Sequence, residues 1–109
     1  ISTRRELLQL DVIQQFLKEE SYWARERTFE QTRKAIENSL PFGVYRGEKQ
    51  VGFARVVTDY ATFAYLGDVF ILEEFRGRGL SKWLMETITA HPDLQGLRRW
   101  ILATRDAHA

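Results

Sequence analysis

Cysteine is absent from the 109 residues. Disulfides, cysteine-ligated zinc and a thiol nucleophile are therefore excluded. Histidine is nearly as scarce: His91 and His108 are the two present, too dispersed for a recognisable metal cluster. No run of about 18 apolar residues occurs, and the N-terminal stretch carries no signal-peptide pattern, so the expected location is the cytoplasm. An excess of one charge is missing too. Sixteen Lys and Arg stand against 15 Asp and Glu, leaving +1, which supplies no electrostatic footprint for nucleic acid or a membrane. With 44% apolar and 28% charged residues the composition is that of an ordinary globular protein, and the length suits a single domain over residues 1–109.

What is present centres on one stretch. Asp68-Val69-Phe70-Ile71-Leu72 is an apolar run of strand type, closed by Glu73 and Glu74. Phe75-Arg76-Gly77-Arg78-Gly79 forms a loop, after which Leu80, Trp83, Leu84, Thr87 and Ile88 recur at helical spacing. Two glycines at a strand-to-helix turn let backbone N–H groups point into a concavity at a helix N-terminus, where an anion such as pyrophosphate can sit. A P-loop is excluded because no Lys-Ser or Lys-Thr pair occurs, and a dinucleotide fingerprint because Lys82 stands where its third glycine is needed.

The chain opens on Ile1–Arg5, which reads as the tail of a first strand. Val12, Ile13, Phe16 and Leu17 form a helical apolar face led by Asp11. Ser21–Ala24 is a short aromatic link, and Thr28 with Gln31 has capping-box spacing. Phe29, Ile36 and Leu40 mark a second helix, ended by Pro41. Phe42–Arg46 reads as a strand, Gly47-Glu48 as a turn and Gln50–Thr58 as its antiparallel return. Asp59–Ala61 turns into a long strand, Thr62–Leu72. His91-Pro92 and Gly96 close the helix after the glycine loop, and Arg98–Thr104 is a last strand. A meander followed by a right-handed crossover predicts an α+β fold, its sheet mixed, mostly antiparallel and flanked by helices.

Arg76-Gly77-Arg78-Gly79-Leu80-Ser81 resembles the Arg/Gln-x-x-Gly-x-Gly/Ala signature of the GNAT superfamily of N-acetyltransferases, with the compact Ser81 where Gly or Ala is usual. Ile71 lies five residues before Arg76, as in the family's pantetheine-binding strand, and the element order is similar over essentially the whole chain. Tyr22-Trp23, the hairpin with Gly43 and Gly52, and the ending from Leu102 to His108 resemble a bacterial subgroup of largely unassigned substrate. The resemblance implies a GNAT-like acyl-CoA N-acyltransferase fold, acetyl-CoA as cosubstrate, and direct attack by a primary amine of a small molecule or peptide. It implies that the backbone from Arg76 to Ser81 takes the pyrophosphate, and that the edge of Val69, Phe70 and Ile71 pairs with the pantetheine amides. Ile101–Ala103 would be the second wall of that slot, and the Ile71 N–H the donor to the oxyanion. In the family a helix, often opening with a thiolate-protonating tyrosine, and a strand pair follow the last strand. The sequence ends at Ala109, so the expectation is a C-terminally incomplete domain, prone to homodimerise through an uncovered sheet edge.

Acceptor chemistry requires a base. Period-two alternation puts Asp68, Phe70 and Leu72 on one face and Val69 and Ile71 on the other. Asp68 reads either as a partly desolvated base or as a carboxylate with a structural hydrogen bond. Glu73 and Glu74 read as further base candidates or as solvated loop charges. Tyr22, Trp23, Tyr60 and Tyr65 line an acceptor pocket or pack. Arg76 and Arg78 add charge to the anion seat or are solvated, and Trp83 and Trp100 read as core. His91, before Pro92 at a helix end where an imidazolium can favour the helix dipole, reads as a cap rather than a catalytic group. Three functions stay open: an N-acetyltransferase, a CoA-binding module without turnover, and a fragment whose turn holds only an adventitious anion.

Overall fold

The computed structural model describes residues 1–20 and 28–102. Helix α1 (Leu10–Glu20) buries Ile13 and Leu17, which lie one turn apart on its apolar face. Helix α2 (Phe29–Glu37) opens with the expected capping box: Thr28 Oγ1 accepts from the Gln31 N–H at 3.0 Å, and Gln31 Oε1 accepts from the Thr28 N–H at 2.8 Å. The helix is shorter than its apolar spacing suggests. Phe29 is half exposed, and Leu40 belongs to the first strand, leaving Ile36 as the apolar anchor.

Strands β1 (Leu40–Arg46), β2 (Lys49–Thr58) and β3 (Phe63–Ile71) form an antiparallel meander. Helix α3 (Leu80–Ala90) then returns the chain to β4 (Arg99–Leu102), which pairs parallel to β3, giving a sheet in the order β1-β2-β3-β4. Ile1–Arg5 supplies no strand of its own. Ser2 makes an isolated antiparallel bridge to Gly43, and Arg5–Leu7 is a single 3₁₀ turn.

Each face of the sheet carries a core. Against α3, Leu84 and Ile88 pack on Phe42, Val44, Val56 and Leu66. Against α1 and α2, Ile13, Leu17 and Ile36 pack on Phe53 and Phe70, with Phe16 stacked on Phe70 at 4.1 Å between ring centroids. The expectation for Trp83 fails: it is 50% exposed. The buried stripe of α3 runs through Leu84 and Ile88, flanked by Leu80 and Met85, and Trp83 falls outside it. Trp100 is partly buried against the same core.

The turn from β2 to β3 is built on Asp59. Its carboxylate accepts from the N–H groups of Ala61 and Thr62 at 2.9 and 2.8 Å, from Phe63 N–H at 3.2 Å, and from the Thr62 hydroxyl. The Thr62 hydroxyl, joined by these backbone donors, holds its pKa well below the usual carboxylate range. Among the described residues no helix is long and apolar enough to cross a membrane.

Candidate functional site

One irregularity in β3 sets up the site. Phe53 faces Phe70 and Arg55 faces Gly67, so Ala54 alone opposes both Asp68 and Val69. This is a β-bulge, and Asp68 adopts φ 53 within it. Aspartate enters this left-handed region more readily than most residues. The bulge also reverses the facing of the strand. Ala64 and Leu66 point to the α3 core, yet beyond the bulge Phe70 points to the α1–α2 core and Ile71 to the α3 core. Phe70 and Ile71 thus lie on opposite faces, as alternation predicts, but the inversion relative to Leu66 is not visible in the sequence.

Asp68 is buried, and Arg55 Nε donates to its Oδ2 at 3.0 Å. Arg55 also donates through Nη1 to Ser39 Oγ at 3.1 Å, tying the bulge to the segment between α2 and β1. No motif or spacing in the sequence marks Arg55 as a site residue. A charged residue inside the apolar run from Val51 to Val57 is the signal that could have found it.

The edge of β3 that faces β4 is the next component. Pairing to β4 joins Phe63–Leu66 to Arg99–Leu102 and reaches no further along β3 among the described residues. Hydrogen-bonded and non-hydrogen-bonded pairs alternate along an antiparallel ladder. The Leu72 N–H donates to the Val51 carbonyl at 2.8 Å, so the neighbouring Gly52–Ile71 pair is of the non-bonded kind. Both polar groups of Ile71 therefore face away from β2. Its carbonyl accepts from Arg76 Nε at 2.8 Å, so Arg76 clamps the loop to the strand edge as well as carrying charge.

The glycine loop follows. Glu73–Phe75 is one 3₁₀ turn, whose Phe75 and Arg76 N–H groups bond back to the carbonyls of Leu72 and Glu73. Gly77 and Gly79 have φ 79 and 77, and a Cβ at either would meet nothing within 4 Å. The first backbone bond of α3 runs from the Trp83 N–H to the Gly79 carbonyl at 3.0 Å. Among the described residues nothing accepts from the N–H groups of Gly77, Arg78, Gly79, Leu80, Ser81 and Lys82. Apart from the partly covered Leu80 these residues are exposed. The loop thus offers successive donors to solvent at the positive end of a helix, with space for an anion. Arg76 is the exception in the predicted set: its N–H is used within the protein, and its side chain makes the contact described above.

Other expected residues lie elsewhere. Ile101 pairs with Tyr65, so the described part of β4 stands below the open edge of Val69–Ile71; Ala103 lies outside the described residues, as do Tyr22, Trp23 and His108. Val69 is 40% exposed beside the bulge, whereas Phe70 is buried in the α1–α2 core. Glu73 and Glu74 are exposed on the 3₁₀ turn, with Glu74 3.9 Å from Lys49. Tyr60 sits at the β2–β3 turn, beside Pro92, Asp93 and Gln95. The whole of β3 separates it from the loop, about 30 Å at strand rise, so it lines no pocket there. The Tyr65 ring covers Gly67 instead. His91 closes α3 and takes the capping role: its Nδ1 accepts from the Asp93 N–H at 3.1 Å and caps the following 3₁₀ turn. No group of three or more metal-ligating side chains comes together among the described residues.

Comparison with known proteins follows the same lines. Residues 10–109 match the sequence model of the Acetyltransferase (GNAT) family, and the chain belongs to that family. A Gibberella zeae protein named as an acetyltransferase is 34% identical over 97% of this chain and 71% of its own. A crystal structure of a GNAT-family protein from Xanthomonas campestris pv. campestris superposes with a TM-score of 0.94 at 54% identity, covering 98% of this chain and 75% of that one. An aminoglycoside N-acetyltransferase in complex with CoA shares the fold alone, with a TM-score of 0.63 at 17% identity over 89% of this chain and 71% of that one. The protein is thus an acetyltransferase of the GNAT family, whose members move an acyl group from acyl-CoA to an acceptor.

Proposed function

We propose that the protein transfers the acetyl group of acetyl-CoA to a primary amine of a small molecule or peptide. One observation carries the reading: N–H groups from Gly77 to Ser81 that have no acceptor among the described residues lie beside a strand edge on which both polar groups of Ile71 face away from β2. The loop amides hold the pyrophosphate, and the edge of Val69–Ile71 pairs with the pantetheine arm. The amine nitrogen bonds to the thioester carbon, the C–S bond breaks, and the sulfur leaves as CoA thiolate. The Ile71 N–H donates to the carbonyl oxygen as charge develops on it, a contact whose loss typically costs about 2.7–4 kcal/mol of barrier. The amine gives up a proton in the same step.

Asp68 is the foremost carboxylate for that proton, because it is buried at the bulge three residues before Ile71 while Glu73 and Glu74 face solvent. Its bond to Arg55 competes with this work and favours a second role, holding the bulge. The pH profile of Asp68→Asn separates the two: a lost base changes the profile's shape, and a lost brace lowers the whole curve. Self-association through β4 belongs to the same proposal, supported by the exposure of Ile101 and Leu102; sedimentation as a monomer at high concentration would remove it.

The decisive experiment is calorimetry with acetyl-CoA, followed by thiol release with a panel of amines. Binding with turnover is expected. Binding without turnover leaves a CoA-binding module, and no heat at millimolar ligand removes both.

A further inference from the structure

The tip of the β1–β2 hairpin carries charge that the acyl-transfer reading does not use. Arg46 closes β1 and Lys49 opens β2. With Arg78 of the glycine loop they bring three cationic centres over one ring, at 5.8, 5.9 and 5.5 Å from the Phe75 centroid. Phe75 is buried and anchored in the α3-side core, so the cations gather about a fixed point. A cation over an aromatic face is held by the ring's negative potential. An arginine held in this way keeps N–H donors in its own plane, in the fork geometry that suits phosphate.

Compensation by carboxylates is thin. Glu74 stands 3.9 Å from Lys49, and both are well exposed, a kind of pair that contributes little. Among the described residues no carboxylate pairs with Arg46 or Arg78. Like charges gathered on one ring repel one another, and a bound anion would relieve that repulsion. The loop amides already answer a pyrophosphate, so the hairpin has charge to spare for a second anion nearby. Coenzyme A carries one: the phosphomonoester on its ribose 3′ oxygen, which is close to dianionic at neutral pH.

We propose that Arg46, Lys49 and Arg78, gathered around Phe75, form a seat for the ribose 3′-phosphate of coenzyme A. The proposal rests on the reading of the Gly77–Ser81 amides as the pyrophosphate seat. It makes the β1–β2 hairpin part of the cosubstrate site and gives the protein a preference for CoA over 3′-dephospho-CoA.

Calorimetric titration with CoA and with 3′-dephospho-CoA tests it on the wild type and on the double variant Arg46→Gln/Lys49→Gln. The wild type should bind CoA about tenfold more tightly, the weight of a charge-assisted contact, and added salt should narrow that margin. The double variant should lose most of the margin while binding 3′-dephospho-CoA as the wild type does. Equal affinities in the wild type, or an unchanged margin in the variant, would overturn the proposal. Wild type that binds neither compound would instead remove the pyrophosphate seat on which the proposal rests. Arg46 and Lys49 are exposed, and a thermal melt checks the fold of the variant. If the double variant fails to fold, Arg46→Gln alone must narrow the margin, and an unchanged margin there overturns the proposal equally.

Discussion

Gly79→Ala separates backbone strain from cofactor contact. Gly79 precedes α3 at φ 77 and ψ 8, in the left-handed region that other L-residues enter at a cost of about 1–2 kcal/mol. A Cβ there would meet nothing within 4 Å, so no clash adds to that strain. Alanine also restricts the unfolded chain, which returns about 0.4–1 kcal/mol. The net loss is therefore about 1 kcal/mol, which lowers Tm by roughly 4–8 °C in a domain of this size. Gly96 provides the control: its φ is 74, its Cβ direction is equally open, and it lies outside the loop. Both alanine variants should lose a similar Tm in calorimetric melts. Only Gly79→Ala should lose CoA affinity, by about tenfold or 1.4 kcal/mol, because its methyl stands among the loop amides proposed to hold the pyrophosphate. Equal CoA affinity in the two variants would refute the amide seat. An unchanged Tm in both would refute the strain estimate.

The bulge and the β2–β3 turn give two further tests. Arg55→Met keeps the length of the side chain but removes the guanidinium that pairs with the buried Asp68 carboxylate, and should cost about 1.5–3 kcal/mol in denaturant melts. Adding Asp68→Asn should recover part of that loss, and a strictly additive double variant would show that the pair is not coupled. Asp59 has a folded-state pKa below its ordinary 3.8, so the stability it contributes is present above that pH and lost as pH falls through the lower folded value. Tm should therefore decline below about pH 4 more steeply in the wild type than in Asp59→Asn, which keeps an acceptor but does not titrate; parallel declines would count against the turn's role.

Local chemistry decided a good deal. The capping box of Thr28 and Gln31, the positive-φ glycines at Gly77 and Gly79 and the meander of β1–β3 follow from residues adjacent in sequence, where side-chain spacing and glycine's lack of a Cβ act directly. The exposed run of loop N–H groups leading into α3 was legible for the same reason. Tertiary structure alone decided where β3 breaks its alternation, since the bulge at Asp68 and Val69 exists only relative to Ala54 on another strand. It also decided that Arg55 meets Asp68 and that Arg76 clamps the Ile71 carbonyl. Trp83, apolar and at helical spacing, was left half exposed because the sheet takes only the Leu84–Ile88 stripe of α3. Hydrophobic periodicity fixes which residues share a helix face, but only the packed partner determines how wide a stripe it covers.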